Sequence, residues 1–279
     1  MLHNSDLDSL HATLAHLGES VLRASELSLL SSTTITLVDN GSEPGYQQRL
    51  SAIFEASFGD TESCQPILKT RLETKLEISA ENPGYGAGHN TAQLGNAADY
   101  VLVLNPDVEL HVDALTEFCR LIESQPMVVA ANPHSRRVTG VREFLCKRYP
   151  AVDVLILRAL SPENLPAFLR QRLDRYEYRD LPADKSQSVE LLSGACLFAR
   201  GETFRRVGGF DPRYFLYFED YDLSMRLREF GELRYLPDAR IVHHGGNAAR
   251  KGARHVRWFA TSALRFFVAH GILGRTRLG

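Results

Sequence analysis

YVLVLNPD, residues 100–107, is the stretch on which the reading of this chain turns. Five apolar residues, Tyr100 to Leu104, follow one another without polar alternation, as expected of a strand buried on both faces of a parallel sheet. The run stops at Asn105-Pro106-Asp107, the carboxyl end of that strand, where open α/β sheets hold their ligands. A carboxylate there can take a divalent cation such as magnesium or manganese, which prefer hard oxygen ligands. The plain alternative is an Asx-Pro turn leading into the next helix.

The pattern on both sides supports alternating elements. Downstream, Leu115, Phe118, Leu121 and Ile122 mark an amphipathic helix, and Met127 to Ala131 a further strand. Upstream lie a strand at Leu76–Ser79, a helix at Gln48–Phe58 and a β-branched run, Thr33 to Val38, ending in the turn Asp39-Asn40-Gly41-Ser42. The first helix carries Leu7, Leu10, Leu14, Leu17 and Val21, with Ser5 as its expected N-cap and Asp6 and Asp8 in its first turn. Such alternation predicts an α/β fold with a mixed, mostly parallel sheet flanked by helices. Residues 133–188 lose the period and read as a variable insertion, with helices expected at Val152–Leu160 and Pro166–Arg175. Regularity returns with Val189–Ala199, a helix from Asp222, and strands at Leu233–Leu236 and Arg240–His243.

The chain has 279 residues and a net charge of −2, which suits one α/β domain with an appendage and offers nothing to nucleic acid. Cys64, Cys119, Cys146 and Cys196 are far apart, a pattern of reduced thiols. No stretch approaches the ~18–20 apolar residues that span a bilayer, and the N-terminus does not read as a signal peptide. A cytoplasmic or peripheral protein is expected.

Three further motifs can carry chemistry. NPGYGAGHN, residues 82–90, offers a backbone with little side-chain bulk for close approach to phosphate or sugar. It is neither a P-loop nor a dinucleotide fingerprint, and a surface loop is its plain reading. FEDYDL, residues 218–223, gathers three carboxylates at a helix start beside aromatic rings. Acidic residues there commonly just complement the helix dipole, but apolar surroundings can raise a carboxyl's proton affinity toward general-base work. His243-His244 closes a strand and can ligate a metal or bind phosphate.

In their order these pieces resemble the family 2 glycosyltransferases of the GT-A fold, in particular the rhamnosyltransferase-like branch. The matching stretches are VDNGS (38–42), NPGYGAGHN, LNPD (104–107), LLSGACLFARGETFRRVGGFDPRYFLYFEDYDL (191–223) and PDARIVHHGG (237–246). The resemblance implies an inverting, metal-dependent transferase that moves a sugar, best matched by L-rhamnose from dTDP-rhamnose, onto a glycan or lipid-linked acceptor of the bacterial cell surface. It implies that Asp39 contacts the nucleotide base, and that Asn82, Gly84, Asn90 and Asn105 line the site of the nucleotide-diphospho-sugar. Asp107 answers to the last carboxylate of the family's D-x-D motif, with Asn105 in place of the first. His243 then completes a magnesium or manganese site, with His244 as alternative, and Asp220 is the base, with Glu219 as runner-up.

One departure stands out. Relatives begin with a strand ahead of a turn like His3-Asn4-Ser5-Asp6-Leu7, whereas here only Met1-Leu2 precede it. The first strand is therefore expected to be missing, either because the start is placed too late or because the strand is truly lost, and Ile35–Val38 then becomes an exposed edge or pairs with something else. That absence keeps open a non-catalytic member that binds a glycan or partner. A nucleotidyltransferase is disfavoured, for want of a basic glycine-rich loop near the N-terminus. The glycosyltransferase domain is expected over 1–246 and a basic helical extension over 247–279. After Asp238 no acidic residue occurs, and arginines interleave with aromatics, so this tail suits an anionic membrane surface or a core-packed helix with a solvated basic face.

Overall fold

Leu10, Leu14, Leu17 and Val21 all turn inward from α1 (Leu7–Glu26), each burial contributing about 2 kcal/mol. The helix is capped by Asp6, whose carboxylate accepts from the Ser9 N–H at 2.8 Å. Asp6 thus takes the position expected of Ser5, since its shorter reach to the third residue closes the cap. The structure is a computed structural model that describes residues 2–58, 71–159, 165–245 and 252–272. Cys64 and the tail residues Arg250, Lys251, Arg275 and Arg277 lie outside them.

The main sheet runs in the order β3 (Tyr100–Leu104), β8 (Cys196–Arg200), β5 (Val128–Arg137), β9 (Glu232–His243), β4 (Val108–Leu110). Short β6 (Arg142–Glu143) pairs with β5, and β7 (Gln187–Ser188) with β9. A separate two-stranded sheet joins β1 (Ser32–Asn40) in parallel to β2 (Arg71–Ser79). The sheet is mixed, as read, but less parallel than expected. Among the described residues only β1–β2 and β5–β9 are parallel ladders; β3–β8, β5–β8, β4–β9 and the two short pairings are antiparallel. An unbroken apolar run records burial, not strand direction. β3 itself is antiparallel to its neighbour and buries Val101 and Val103 deeply, while Tyr100, Leu102 and Leu104 are only half-buried.

The reason lies beside it. Between β1 and β3 is a cavity of about 540 Å³, walled by residues Thr33–Val38, by Tyr100, Leu102 and Leu104, and by Leu10 and Leu14 of α1. Among the described residues only Leu2 enters the strand position flanking β1 there. Its N–H donates to the Val38 carbonyl and its own carbonyl accepts from the Asn40 N–H, both at 2.8 Å. The expected first strand is reduced to that one-residue bridge. Apart from that bridge the second edge of β1 has no strand partner among the described residues, although the Ile35, Leu37 and Val38 side chains are buried.

Around the sheets pack α2 (Pro44–Phe58), α3 (Tyr85–Gln93), α4 (Ala114–Ser124), α5 (Val152–Ala159), α6 (Ala167–Tyr176), α7 (Gly201–Arg206), α8 (Glu219–Leu227) and α9 (Ala253–His270). α4 buries Leu115, Phe118, Leu121 and Ile122 as its period requires, with Phe118 stacked on Phe198 at 5.0 Å between centroids. α5 and α6 match the helices expected inside 133–188, and β5 continues from Val128 through Pro133 to Arg137. α9 lays Phe266 fully into an aromatic cluster with Phe218, Tyr176 and Tyr214. No helix among the described residues is long and apolar enough to cross a membrane.

Candidate active site

Two-thirds of the NPGYGAGHN motif, Tyr85 to Asn90, is helix and not loop. Asn82 accepts the Gly84 N–H at 3.0 Å, and Gly84, at φ +100°, opens α3. A Cβ at Gly84 would sit 2.5 Å from the Phe215 carbonyl oxygen, so only glycine allows this approach. The same carbonyl accepts the Tyr85 N–H at 2.9 Å. The Gly84 carbonyl in turn accepts from Asn40 Nδ2 at 2.9 Å, which docks the turn on the end of β1.

Asp39, fully buried beside Asn40, accepts from the Ser42 N–H at 3.1 Å and Gln47 Nε2 at 3.0 Å through one carboxylate oxygen. Its other oxygen has no hydrogen-bond partner. Asn90 is used differently from what the resemblance implied. Its Nδ2 donates to the Phe210 carbonyl at 2.7 Å and its Oδ1 accepts the Phe210 N–H at 2.9 Å. Both ends of the amide engage backbone 120 residues away, so it clamps the Gly208-Gly209-Phe210 turn onto α3.

Tyr85 joins the two sides of the cleft. Its hydroxyl donates to the Gly194 carbonyl at 2.7 Å and lies 3.0 Å from Asn105 Oδ1. Burial, then the negative charges of Glu219, Asp220 and Asp107, push the phenol well above its ordinary range. Sequence reasoning passed over this residue; an aromatic inside a glycine-rich run was the available signal.

The three carboxylates of FEDYDL meet three different environments. Tyr217 and Phe218 both adopt left-handed backbone, at φ +70° and +64°, a strain of about 1–2 kcal/mol per residue. Phe218 is buried against Tyr221, Phe259 and Phe266, which offsets that strain and starts α8 at Glu219. Asp220 Oδ2 accepts the Gly194 N–H at 3.1 Å and Oδ1 the Tyr221 N–H at 2.9 Å. Burial raises its proton affinity while those backbone N–H groups restrain it. Glu219 is buried with Oε2 unpartnered, and burial, then the Asp220 charge, push its carboxyl well up. Asp222 is structural: it accepts from Arg226 Nε and from His270 Nε2, both at 2.8 Å, and so ties α8 to α9.

Across the cleft, His243 Nε2 lies 3.5 Å from Asp107 Oδ1 and its Nδ1 lies 2.7 Å from Glu143 Oε2. Burial opposes the imidazolium, but the Asp107 and Glu143 carboxylates push it up to about 9. Burial likewise raises Asp107, and the His243 contact outweighs it, holding that carboxyl below its usual range. Glu143 was also missed, because a two-residue strand in an aperiodic insertion carries no signal. His244 points elsewhere, to Glu109 at 2.7 Å, while its N–H donates to the Asp107 carbonyl at 2.9 Å.

What the cleft offers a divalent cation is the Asp107 carboxylate and, once it has given up a proton, the His243 imidazole, whose other nitrogen is oriented by Glu143. Among the described residues no group of three or more His, Cys, Asp or Glu side chains is placed to hold a metal ion, so a cation there would need a diphosphate and water for its remaining ligands. Asp39, Asn82, Gly84, Asn105, Asp107, Glu219, Asp220 and His243 all stand at this cleft, at the ends of β1, β3 and β9 and the starts of α3 and α8.

No family model matches the chain. Its fold is that of solved glycosyltransferases, although at low identity. It aligns with GalNAc-T7, determined with UDP, GalNAc and Mn2+, at TM-score 0.59 and 14% identity over 89% of this chain and 42% of that one. The mannosyltransferase PcManGT from Pyrobaculum calidifontis, in complex with GDP-Man and Mn2+, aligns at 0.56 and 15% over 95% and 62%. S. aureus TarS 1-349 aligns at 0.51 and 15% over 99% and 74%. The chain spans less than two-thirds of the first two. A mixed sheet with these neighbours defines a GT-A glycosyltransferase fold. In sequence, the chain is 31% identical over 227 residues to N-acetylglucosaminyl-diphospho-decaprenol L-rhamnosyltransferase of Mycobacterium tuberculosis, covering 75% of this chain and 72% of that protein. It is 26% identical over 205 residues to rhamnosyltransferase WbbL of Escherichia coli, covering 68% and 72%. The chain belongs to the rhamnosyltransferase-like glycosyltransferases.

Proposed function

We propose that this protein transfers L-rhamnose from dTDP-L-rhamnose to a hydroxyl of a glycan carried on a lipid diphosphate, inverting the anomeric carbon, at the inner face of the plasma membrane. The observation that carries the reading is the Asp220 carboxylate, fixed by the Gly194 and Tyr221 N–H groups and linked through Gly194 and Tyr85 to Asn105, two residues before Asp107. The acceptor oxygen attacks the anomeric carbon as Asp220 takes its proton. The bond from that carbon to the diphosphate oxygen breaks, and its electron pair leaves with the nucleoside diphosphate. A single displacement inverts configuration and needs no covalent intermediate. The unpartnered oxygen of buried Asp39 supports a role as acceptor for a base N–H. Asp107 and His243 would hold the cation, which when bound neutralises charge on the departing diphosphate, and Glu143 keeps the His243 ring oriented.

Incubation of the full chain with dTDP-L-rhamnose and a short-chain N-acetylglucosaminyl diphospho-lipid tests this. Expected are a product heavier by one deoxyhexose, the inverted anomer by proton NMR, and loss of transfer in excess chelator. Retained configuration, or equal rates in chelator, would overturn the corresponding part. The cavity beside β1 favours one competitor, a protein that binds the glycan without transfer; dTDP binding without turnover on any acceptor would point to it.

A further inference from the structure

On the far side of the Phe215 turn from Gly84 lies a second pocket, of about 420 Å³, lined by Arg213, Arg254, Arg257 and Arg265 with Trp258 and Thr261. Arg213 is held by Asp211, at 2.6 Å. Arg254 stacks over Trp258, 5.5 Å from the ring centroid, and Arg265 over Tyr214 at 5.6 Å. Among the described residues, Arg254, Arg257 and Arg265 form no ion pair with a carboxylate, and the chain has no acidic residue beyond Asp238. Three guanidinium groups without anions around one concavity favour a polyanion, and arginine forks match phosphate oxygens two at a time.

The helix continues this pattern into an apolar one. On α9, Arg257, Thr261, Leu264 and Val268 follow at steps of three or four, which places them on one stripe, and Ile272 follows just past the helix end at Gly271. The first part of the stripe is cationic and polar, whereas Leu264, Val268 and, beyond the helix, Ile272 are 67%, 79% and 66% exposed. At 1.5 Å per residue the stripe from Arg257 to Val268 is roughly 17 Å long. A charged head pocket followed by a bare apolar strip is the complement of an amphiphile with an anionic head and a hydrocarbon tail. Phe215 also belongs to the transfer site: its carbonyl meets Tyr85, its ring packs on Trp258 at 4.5 Å, and the chain reaches Asp220 five residues later.

We infer that this pocket seats the diphosphate of a polyprenyl-diphosphate-linked acceptor, with the first isoprene units lying on Leu264, Val268 and Ile272. This rests on the reading of the protein as a transferase onto lipid-diphosphate glycans. It adds the site that holds the lipid, separate from the Asp107–His243 site for the sugar nucleotide.

Trp258 is the chain's single tryptophan and lines the pocket, so its emission reports occupancy directly. Titration of the full chain with farnesyl diphosphate is expected to shift that emission, with about tenfold tighter binding than inorganic pyrophosphate or farnesol. Exposed Arg257→Ala, with an unchanged circular dichroism spectrum, should weaken farnesyl diphosphate about tenfold, and Arg257→Lys should recover part. Leu264→Gln should weaken farnesyl diphosphate but not pyrophosphate. No response to farnesyl diphosphate, or Arg257→Ala titrating as the unaltered chain, overturns the inference. So do phosphatidylglycerol vesicles that shift the emission and are not displaced by farnesyl diphosphate, for then the surface serves phospholipid. Rhamnosyl transfer measured in parallel separates the two readings: transfer without a Trp258 response removes only this pocket, whereas a response without transfer removes the proposed reaction and leaves the pocket standing.

Discussion

The two walls of the cleft are built by different means. On the side of α8, β8 and β9, the functional groups other than Glu219 have fixed partners: Asp220 on two backbone N–H groups, Asp222 between Arg226 and His270, His243 between Asp107 and Glu143. On the side of β1 and the Asn82–Tyr85 turn, the wall is a two-stranded sheet backed by a cavity of about 540 Å³ and continued past Asp39 by one bridging residue, Leu2. The first wall can hold a carboxylate at a set place and proton affinity. The second holds buried Asp39 and Asn40 with unpartnered oxygens on a support of two paired strands and a one-residue bridge. Chemistry that moves a proton calls for the first kind of wall, and a base pocket tolerates more of the second.

The sharpest break of this contrast is Asp220→Asn, which keeps the size of the side chain, leaves one oxygen to accept a single backbone N–H, and removes the proton acceptor. Turnover should fall at least ~10²-fold with dTDP affinity nearly intact; near-normal turnover would move the base to Glu219. Gly84→Ala strikes the seam between the walls. A Cβ 2.5 Å from the Phe215 oxygen at φ +100° should cost about 3 kcal/mol in urea unfolding, and an unchanged midpoint would show that the turn yields. The weaker wall is probed by lengthening the chain ahead of Met1 with an alternating apolar strand. A filled cavity should raise the melting temperature by about 4 °C or more and tighten dTDP binding with it; a gain in neither would show that Leu2 already completes the wall.

Glu219→Gln is the smallest and concerns pH. The Glu219 carboxyl is raised in the folded state by burial and by Asp220. Its stabilising contribution is therefore complete below the unfolded carboxyl pKa and is lost as pH rises through the folded one. The glutamine variant should gain stability relative to the parent as pH rises through that folded value, above the ordinary carboxylate range, read from thermal melts across pH. A difference that does not vary with pH would mean that Glu219 is ionised in place. The same burial raises Asp220, so the acid limb of turnover should lie above the ordinary carboxylate range.

Much of this was legible before any coordinates. Helices with a clean 3.6 period, such as Leu115 to Ile122, came out as read, and so did the two helices within 133–188. The ordered motifs brought Asp39, Gly84, Asp107, Asp220 and His243 to one cleft because each sits at an element's end, where a turn leaves a composition mark. What stayed hidden depends on partners remote in sequence. Asn90 is spent on Phe210, Glu143 acquires meaning only against a histidine 100 residues later, and β3 is antiparallel because of β8. Tyr85 joins Asn105 to Gly194, a junction that no periodicity encodes.

Phe215 has a consequence of its own. One residue is the back of the Gly84 turn, through its carbonyl on Tyr85, and part of the lining of the arginine pocket, through its ring on Trp258. Whatever free energy a ligand on one side spends or gains by shifting that residue must appear with the same sign and size in the affinity on the other. The order in which two substrates load would then be governed by a single phenylalanine, and neither binding constant would have meaning without stating whether the other site is filled.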